Sequence, residues 1–198
     1  DSKRSLSIAF KDGKRLVHCH AGCDVEAVTQ AAGLVTRDLF GDEKQTSRTI
    51  AATYPYQDQG GRLLYEVVRY EPKDFRQRRP GGPGGSIWNL NGVRRVPYRL
   101  PDLKGRACVF IDEGEKDPDR LWRCGIAATT NAGGAGKWTA ELTRQLVDAG
   151  VTAVVVIADN DEQGERHADG VAALSHGHGL AVKRLSLPGL PEHGDVTD

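Results

Sequence analysis

Residues 151–161 read VTAVVVIADND, an almost unbroken apolar run that stops on two carboxylates. A run of this length between Gly150 and Asp159 predicts a strand buried on both faces, because a half-exposed strand would alternate apolar and polar positions. The same form occurs upstream in ACVFIDEGE (107–115), read as another buried strand. IAATTNA (126–132) and AVKRLSLP (181–188) supply two further strands. KWTAELTRQLVDAG (137–150) and EQGERHADGVAALSHG (162–177) have the apolar spacing of helices. Asp117-Pro118 predicts the start of a short helix, with the aspartate as cap and proline at the first position. Strand–helix alternation of this kind gives a Rossmann-like α/β fold, a parallel sheet with right-handed crossovers.

In such a sheet the carboxyl ends of the strands open onto one edge, where ligands bind. Glu113, Asp159, Asp161 and Asp195 each follow a predicted strand. Like charges gathered at one edge repel unless cations neutralise them. Oxygen-only donors select Mg²⁺ or Mn²⁺ over zinc. Asp159 and Asp161 are two residues apart, so an extended backbone would point both to one side. Gly114 permits a tight turn beside Glu113.

The glycine-rich AGGAGKW (132–138) is not a nucleotide-binding P-loop. That pattern needs glycine where Asn131 stands and Ser or Thr where Trp138 stands. The loop lies between a strand and a helix, so its amides and Lys137 are expected to hold a phosphate.

Composition narrows the class. Hydrophobic residues make up 38% and charged residues 27% of 198 residues, as in a globular protein rather than a disordered one. No apolar run reaches membrane-span length, and DSKRSLSIAF (1–10) has no signal-peptide core. Four cysteines do not make a disulfide framework at this length, and a reducing cytoplasm is expected. The net charge of zero hides a division. Residues 60–106 hold 11 basic and 4 acidic side chains, and residues 107–198 hold 8 and 15. A polyanion-binding surface beside a cation-binding site is the expectation.

The basic block begins after a predicted hairpin, IAATYPYQ (50–57) and RLLYEVVRYEP (62–72), joined at QDQGG. It then interleaves Arg76, Arg78, Arg79, Arg94, Arg95 and Arg99 with Phe75, Trp88 and Tyr98, the composition of a single-strand nucleic-acid surface. Nearer the N-terminus, SLSIAF and RLVHC predict a hairpin turning at Asp12-Gly13, and Asp24 caps a helix that Gly33 closes. Residues 41–49 read as a polar linker. His18, Cys19, His20 and Cys23 crowd four soft ligands into six residues, only half of what a structural zinc site needs. Cys108 and Cys124 are expected in the core.

Taken together, VFIDEGEKD (109–117), TTNAGGAGKW (129–138), VVIADNDEQG (155–164) and GDVTD (194–198) resemble the TOPRIM domain. Bacterial-type primases, topoisomerases and some nucleases share that domain. The basic segment and the cysteine pair extend the resemblance to primases of the phage and plasmid primase–helicase kind. The resemblance implies a DNA primase that makes short RNA primers on a single-stranded DNA template from nucleoside triphosphates, working with a replicative helicase in bacterial, phage or plasmid replication. It implies that Glu113, Asp159 and Asp161 hold the catalytic Mg²⁺ or Mn²⁺, with Asp117, Glu115 and Asp195 as further ligands. Template or nucleotide would be bound by Lys137, Arg78, Arg79, Arg94, Arg95, Arg99 and Trp88. Residues 1–40 would be the second half of a zinc ribbon, with Cys19 and Cys23 binding Zn²⁺ only in the intact protein. Residues 41–106 would be a basic subdomain of mixed α+β structure, and 107–198 the catalytic domain. A metal-dependent TOPRIM nuclease and a non-catalytic DNA-binding module are the alternatives.

Overall fold

The computed structural model describes residues 5–11, 14–39 and 48–187, with 189, 191, 194 and 196. Asp195, the Asp12-Gly13 turn and most of the expected linker lie outside these. The chain divides into two compact units, residues 1–49 and 50–198.

In the first unit, β1 (Leu6–Lys11) and β2 (Lys14–Cys19) form the expected antiparallel hairpin. Helix α1 (Val25–Ala31) follows. Asp24 accepts the Ala27 amide at 2.7 Å as its N-cap. Gly33 takes a positive φ of 68° just past the C-cap, and the Leu34 amide reaches back to the Thr29 carbonyl, closing the helix as expected.

The second unit opens with an antiparallel sheet in the order β3-β4-β5-β6: β3 (Thr49–Gln57), β4 (Leu63–Glu71), β5 (Asp74–Pro80) and the two-residue β6 (Ser86–Ile87). Then come β7 (Cys108–Ile111), α2 (Lys116–Arg123), β8 (Ala128–Thr129), α3 (Ala140–Asp148), β9 (Ala153–Ile157), α4 (Glu162–Gly177) and β10 (Ala181–Leu185). These strands form a parallel sheet in the order β10-β9-β7-β8. The strand formed by the VTAVVVIA run is therefore central. One apolar core joins the two sheets: Tyr56, Tyr65 and Val67 of the first are clustered with Val109, Ile111, Val154 and Val156 of the second.

The arginine-rich stretch after β6 is an anchored segment rather than a free loop. The Tyr98 amide donates to the Thr130 carbonyl at 2.9 Å, and the Thr129 hydroxyl donates to the Tyr98 carbonyl at 2.7 Å. Gln145 of α3 holds the Arg95 carbonyl at 2.9 Å. Val96, Tyr98 and Leu100 are buried.

Three expectations fail locally. Cys108 and Cys124 are exposed. Alternation along β7 buries Val109 and Ile111 and turns Cys108 out, while Cys124 is the C-cap of α2. Position along an element outweighs the usual preference of the thiol for the core. Helix α2 starts before Asp117, with Glu115 at its N-cap, so Asp117-Pro118 lies within the first turn. Proline is tolerated there because first-turn amides have no intrahelical acceptor.

Candidate active site

Two acidic segments leave the carboxyl ends of β7 and β9. After β7 the chain bends through Glu113 and Gly114 into α2. The Glu113 carbonyl accepts the Thr130 hydroxyl at 2.8 Å, which ties this turn to the end of β8. A Cβ on Gly114 would lie 3.4 Å from Asp117 Oδ2, so the turn and the first turn of α2 pack closely.

Glu115 is 7% exposed and accepts the Tyr56 hydroxyl at 2.9 Å. Burial raises its carboxyl above the ordinary range, and the Tyr56 bond partly offsets this. Tyr56 stacks on Tyr65 with ring centroids 4.6 Å apart, so this one bond connects the acidic turn to the antiparallel sheet. Asp119 of α2 makes a parallel connection through Tyr98 (3.2 Å) and Arg99 (2.8 Å).

The DND segment after β9 is a bend, not the extended run expected from the two-residue spacing. The Asp161 amide turns back to the Asp159 carbonyl at 2.8 Å, and Asp161 Oδ1 accepts the Gly164 amide at 2.7 Å as N-cap of α4. Gly164 itself has no room for a side chain. A Cβ there would lie 2.6 Å from the Asp159 carbonyl oxygen and 2.9 Å from its Cβ. The absence of a side chain at Gly164 therefore seats Asp159.

Glu113, Asp117 and Asp159 line one cleft of about 880 Å³. Its other wall comes from β4, β5 and the loop after β6, and includes Arg69, Lys73, Arg76, Phe75 and Trp88. In the register Arg69 opposes Phe75 and Val67 opposes Gln77, so these four share the face that looks into the cleft. Carboxylates, with Lys116 among them, thus share the cleft with cations and aromatic rings of the antiparallel sheet. Among the described residues, no three His, Cys, Asp or Glu side chains are gathered into a metal cage. Mg²⁺ does not require one, since it is commonly held by one or two carboxylates with water and substrate phosphates completing the shell.

Of the arginines expected to bind nucleic acid, Arg76 touches this cleft, although by register it shares the face of β5 that carries Arg78 and it pairs with Asp74 at 3.5 Å; Arg78, Arg79, Arg94, Arg95 and Arg99 do not line it. Arg78 faces the other side of β5 and pairs with Glu66 at 2.7 Å. Arg99 is held by Asp102 and Asp119. Arg79 is half-buried and Arg94 exposed. Arg95 and Lys137 line a smaller pocket of about 300 Å³ beside the glycine loop, together with Gln77 and Asn131. Arg69 and Lys73 were missed by the sequence reading. The signal for Arg69 was available in strand alternation: Tyr65, Val67 and Arg69 are successive residues on one face of β4.

The glycine loop is tied inward. Asn131 Nδ2 donates to the Gly134 carbonyl at 2.8 Å, and the Gly136 amide donates to His167 Nδ1 of α4 at 2.9 Å. That bond needs an unprotonated Nδ1, and burial of His167 lowers its pKa below the ordinary value. A depressed pKa in the folded state gives stability that is complete above about pH 6.5 and lost as the pH falls through the folded-state value. We therefore expect the denaturation midpoint to fall between pH 7.5 and 5.5 by more in the wild type than in His167→Asn, whose amide oxygen keeps an acceptor without titrating. Equal falls would assign the pH dependence elsewhere.

In the first unit, Cys19 Sγ accepts hydrogen bonds from the Cys23 and Ala21 amides, which lowers its thiol pKa and favours the thiolate that metals bind.

Residues 110–198 match the family model described as Toprim-like. A protein of Moorella thermoacetica described as a nucleotide-binding protein is 32% identical over 108 residues, covering 52% of this chain and 35% of that protein. Among solved structures, the zinc-binding and RNA polymerase domains of Aquifex aeolicus primase align with a TM-score of 0.53 at 17% identity, over 83% of this chain and 43% of that one. The primase fragment of the bacteriophage T7 primase-helicase protein aligns with a TM-score of 0.49 at 18% identity, over 73% and 54%. The chain thus spans well under two thirds of each relative. Among the described residues, no helix is long and apolar enough to cross a membrane.

Proposed function

We propose that residues 110–198, which match the family model described as Toprim-like, form a TOPRIM domain and that the chain is the catalytic core of a DNA primase. It joins ribonucleotides on a single-stranded DNA template. The observation that carries this reading is the cleft itself, which Glu113, Asp117 and Asp159 line together with Arg69 and Lys73. A site for one nucleotide triphosphate and a growing 3′ end needs both. Cations hold the phosphates, and carboxylates hold the ions that offset the charge on them.

The donor set fits a hard divalent cation, because among the described residues the cleft presents carboxylate oxygens and neither cysteine nor histidine. Glu113 and Asp159 would hold it, with Asp161, Asp117, Asp195 and Glu115 in supporting positions. When bound, Mg²⁺ or Mn²⁺ supplies Lewis-acid activation of a hydroxyl and neutralises charge on the reacting phosphate. Arg69 and Lys73 bind and orient the triphosphate, and the core beneath β4 and β7 gives the cleft a rigid base. The anchored segment bearing Arg94 and Arg95, with Lys137, extends the cationic surface along the path of the template. Arg78 and Arg99 act mainly through the ion pairs that shape it.

Residues 1–40 are assigned to a zinc ribbon, with Cys19 and Cys23 as two of its ligands in the intact protein. Residues 41–106 form the basic subdomain and 107–198 the catalytic domain, working with a helicase partner in the cytoplasm. Incubation with labelled ribonucleoside triphosphates, Mn²⁺ and a single-stranded template tests the reading. Template-complementary products with the template left intact are expected. Template shortening would favour the nuclease, and binding with neither outcome would favour the non-catalytic module.

A further inference from the structure

We propose that Phe75 and Trp88 form the platform on which the base of a bound nucleoside triphosphate stacks. This deepens the polymerase reading of the cleft and rests on it. Phe75 is 45% exposed and Trp88 50% exposed, and both line the cleft. Large aromatic rings ordinarily contribute to a core, as Tyr54, Tyr56 and Tyr65 of this sheet do. These two rings instead leave about half their surface open in the cleft that Glu113, Asp117 and Asp159 also line.

Each ring has a guanidinium near it. Arg69 Cζ lies 6.0 Å from the Phe75 centroid, and Arg78 Cζ lies 5.6 Å from the Trp88 centroid. A cation over one face and roughly half the ring surface open leave a face for a second planar group. Gln77 and Asn89, in the same cleft, supply amide donors and acceptors for the edge of a base. The cleft volume of about 880 Å³ lies within the range of small-molecule sites and suits one nucleotide rather than a length of strand. The base therefore rests on the β5–β6 side, and its phosphates point across the cleft to the wall of Glu113 and Asp159.

The test compares ligands that share phosphates and differ in having a base. ATP, inorganic tripolyphosphate and a short single-stranded oligonucleotide are titrated against the chain with Mg²⁺ present. Phe75→Ala and Trp88→Ala should each weaken ATP binding about tenfold and leave tripolyphosphate affinity unchanged. Phe75→Tyr and Trp88→Phe should restore most of the loss. Because both positions are open, thermal unfolding should hardly move, so a lost affinity is not a lost fold. The proposal is overturned if ATP and tripolyphosphate weaken together, if ATP binding is indifferent to both rings, or if only oligonucleotide binding falls. The last outcome would give the rings to the template. Ring-dependent ATP binding by a chain that makes no polymer would keep the platform and remove the polymerase reading.

Discussion

Glu113→Gln and Asp159→Asn should each reduce primer synthesis by more than about a hundredfold, because loss of one ion ligand costs both metal affinity and transition-state charge stabilisation. Neither change should unfold the protein. Both residues stand on a wall with Asp117, where removing one negative charge relieves repulsion in the metal-free state, so thermal stability should hold or rise slightly. A carboxylate kept only for structure would behave in the opposite way and lose stability when neutralised. Asp161 needs a separate comparison, because it also caps α4. Asparagine is as good an N-cap as aspartate, so Asp161→Asn removes the charge and keeps the cap. Asp161→Ala removes both and should cost about 1 kcal/mol more stability. If Asp161→Asn retains full synthesis, the residue is a cap and not a ligand. Circular dichroism melts beside a primer-extension assay give both readouts.

Gly164→Ala should cost about 2 kcal/mol, or about 4–8 °C in melting temperature, and also impair metal binding. Two effects oppose each other here. Alanine is the better helix former by about 1 kcal/mol at an interior position. The first turn gains less than that, and the added Cβ would stand 2.6 Å from the Asp159 carbonyl oxygen, a distance that real contacts do not reach. The clash wins, and the backbone that moves is the one carrying Asp159. Gly170, in the same helix, has open space where a Cβ would go. Gly170→Ala is therefore the control and should leave the melting temperature unchanged or raise it. A Gly164→Ala protein as stable as the control, with normal Mn²⁺ affinity, would mean that the seating of Asp159 is not tight.

The parallel sheet was legible because its central strand β9 is largely covered on both faces, which leaves the continuous apolar run VTAVVVIA bounded by glycine and aspartate. The placing of Glu113 and Asp159 in one cleft was legible for a related reason: strand ends of a parallel sheet share one edge whatever the loops do. The opposite wall of the cleft was much less visible. Which arginine of a basic strand faces the cleft depends on pairing register, and the register that opposes Arg69 to Phe75 and Glu66 to Arg78 is decided by a hairpin turn and by core packing. Counting arginines therefore pointed to Arg78, while alternation along β4 would have pointed to Arg69. The conformation of Asp159-Asn160-Asp161 was misread because the chain turns at Asn160, where the Asp161 amide returns to the Asp159 carbonyl, while Asp161 itself stays extended as the N-cap of α4. The partner of buried Glu115, Tyr56, lies 59 positions earlier in the chain, and no local pattern links them.

Crystals of the chain soaked with Mn²⁺ and a nucleoside triphosphate, measured at an energy where manganese scatters anomalously, test the central claim most directly. The account predicts an anomalous peak in the cleft, coordinated by Glu113 and Asp159 oxygens and by phosphate, with the base against Phe75 and Trp88. Metal–oxygen distances should be about 2.0–2.2 Å, near those of Mg²⁺. Manganese bound elsewhere on the chain, or a triphosphate seated away from the carboxylate wall, would contradict it.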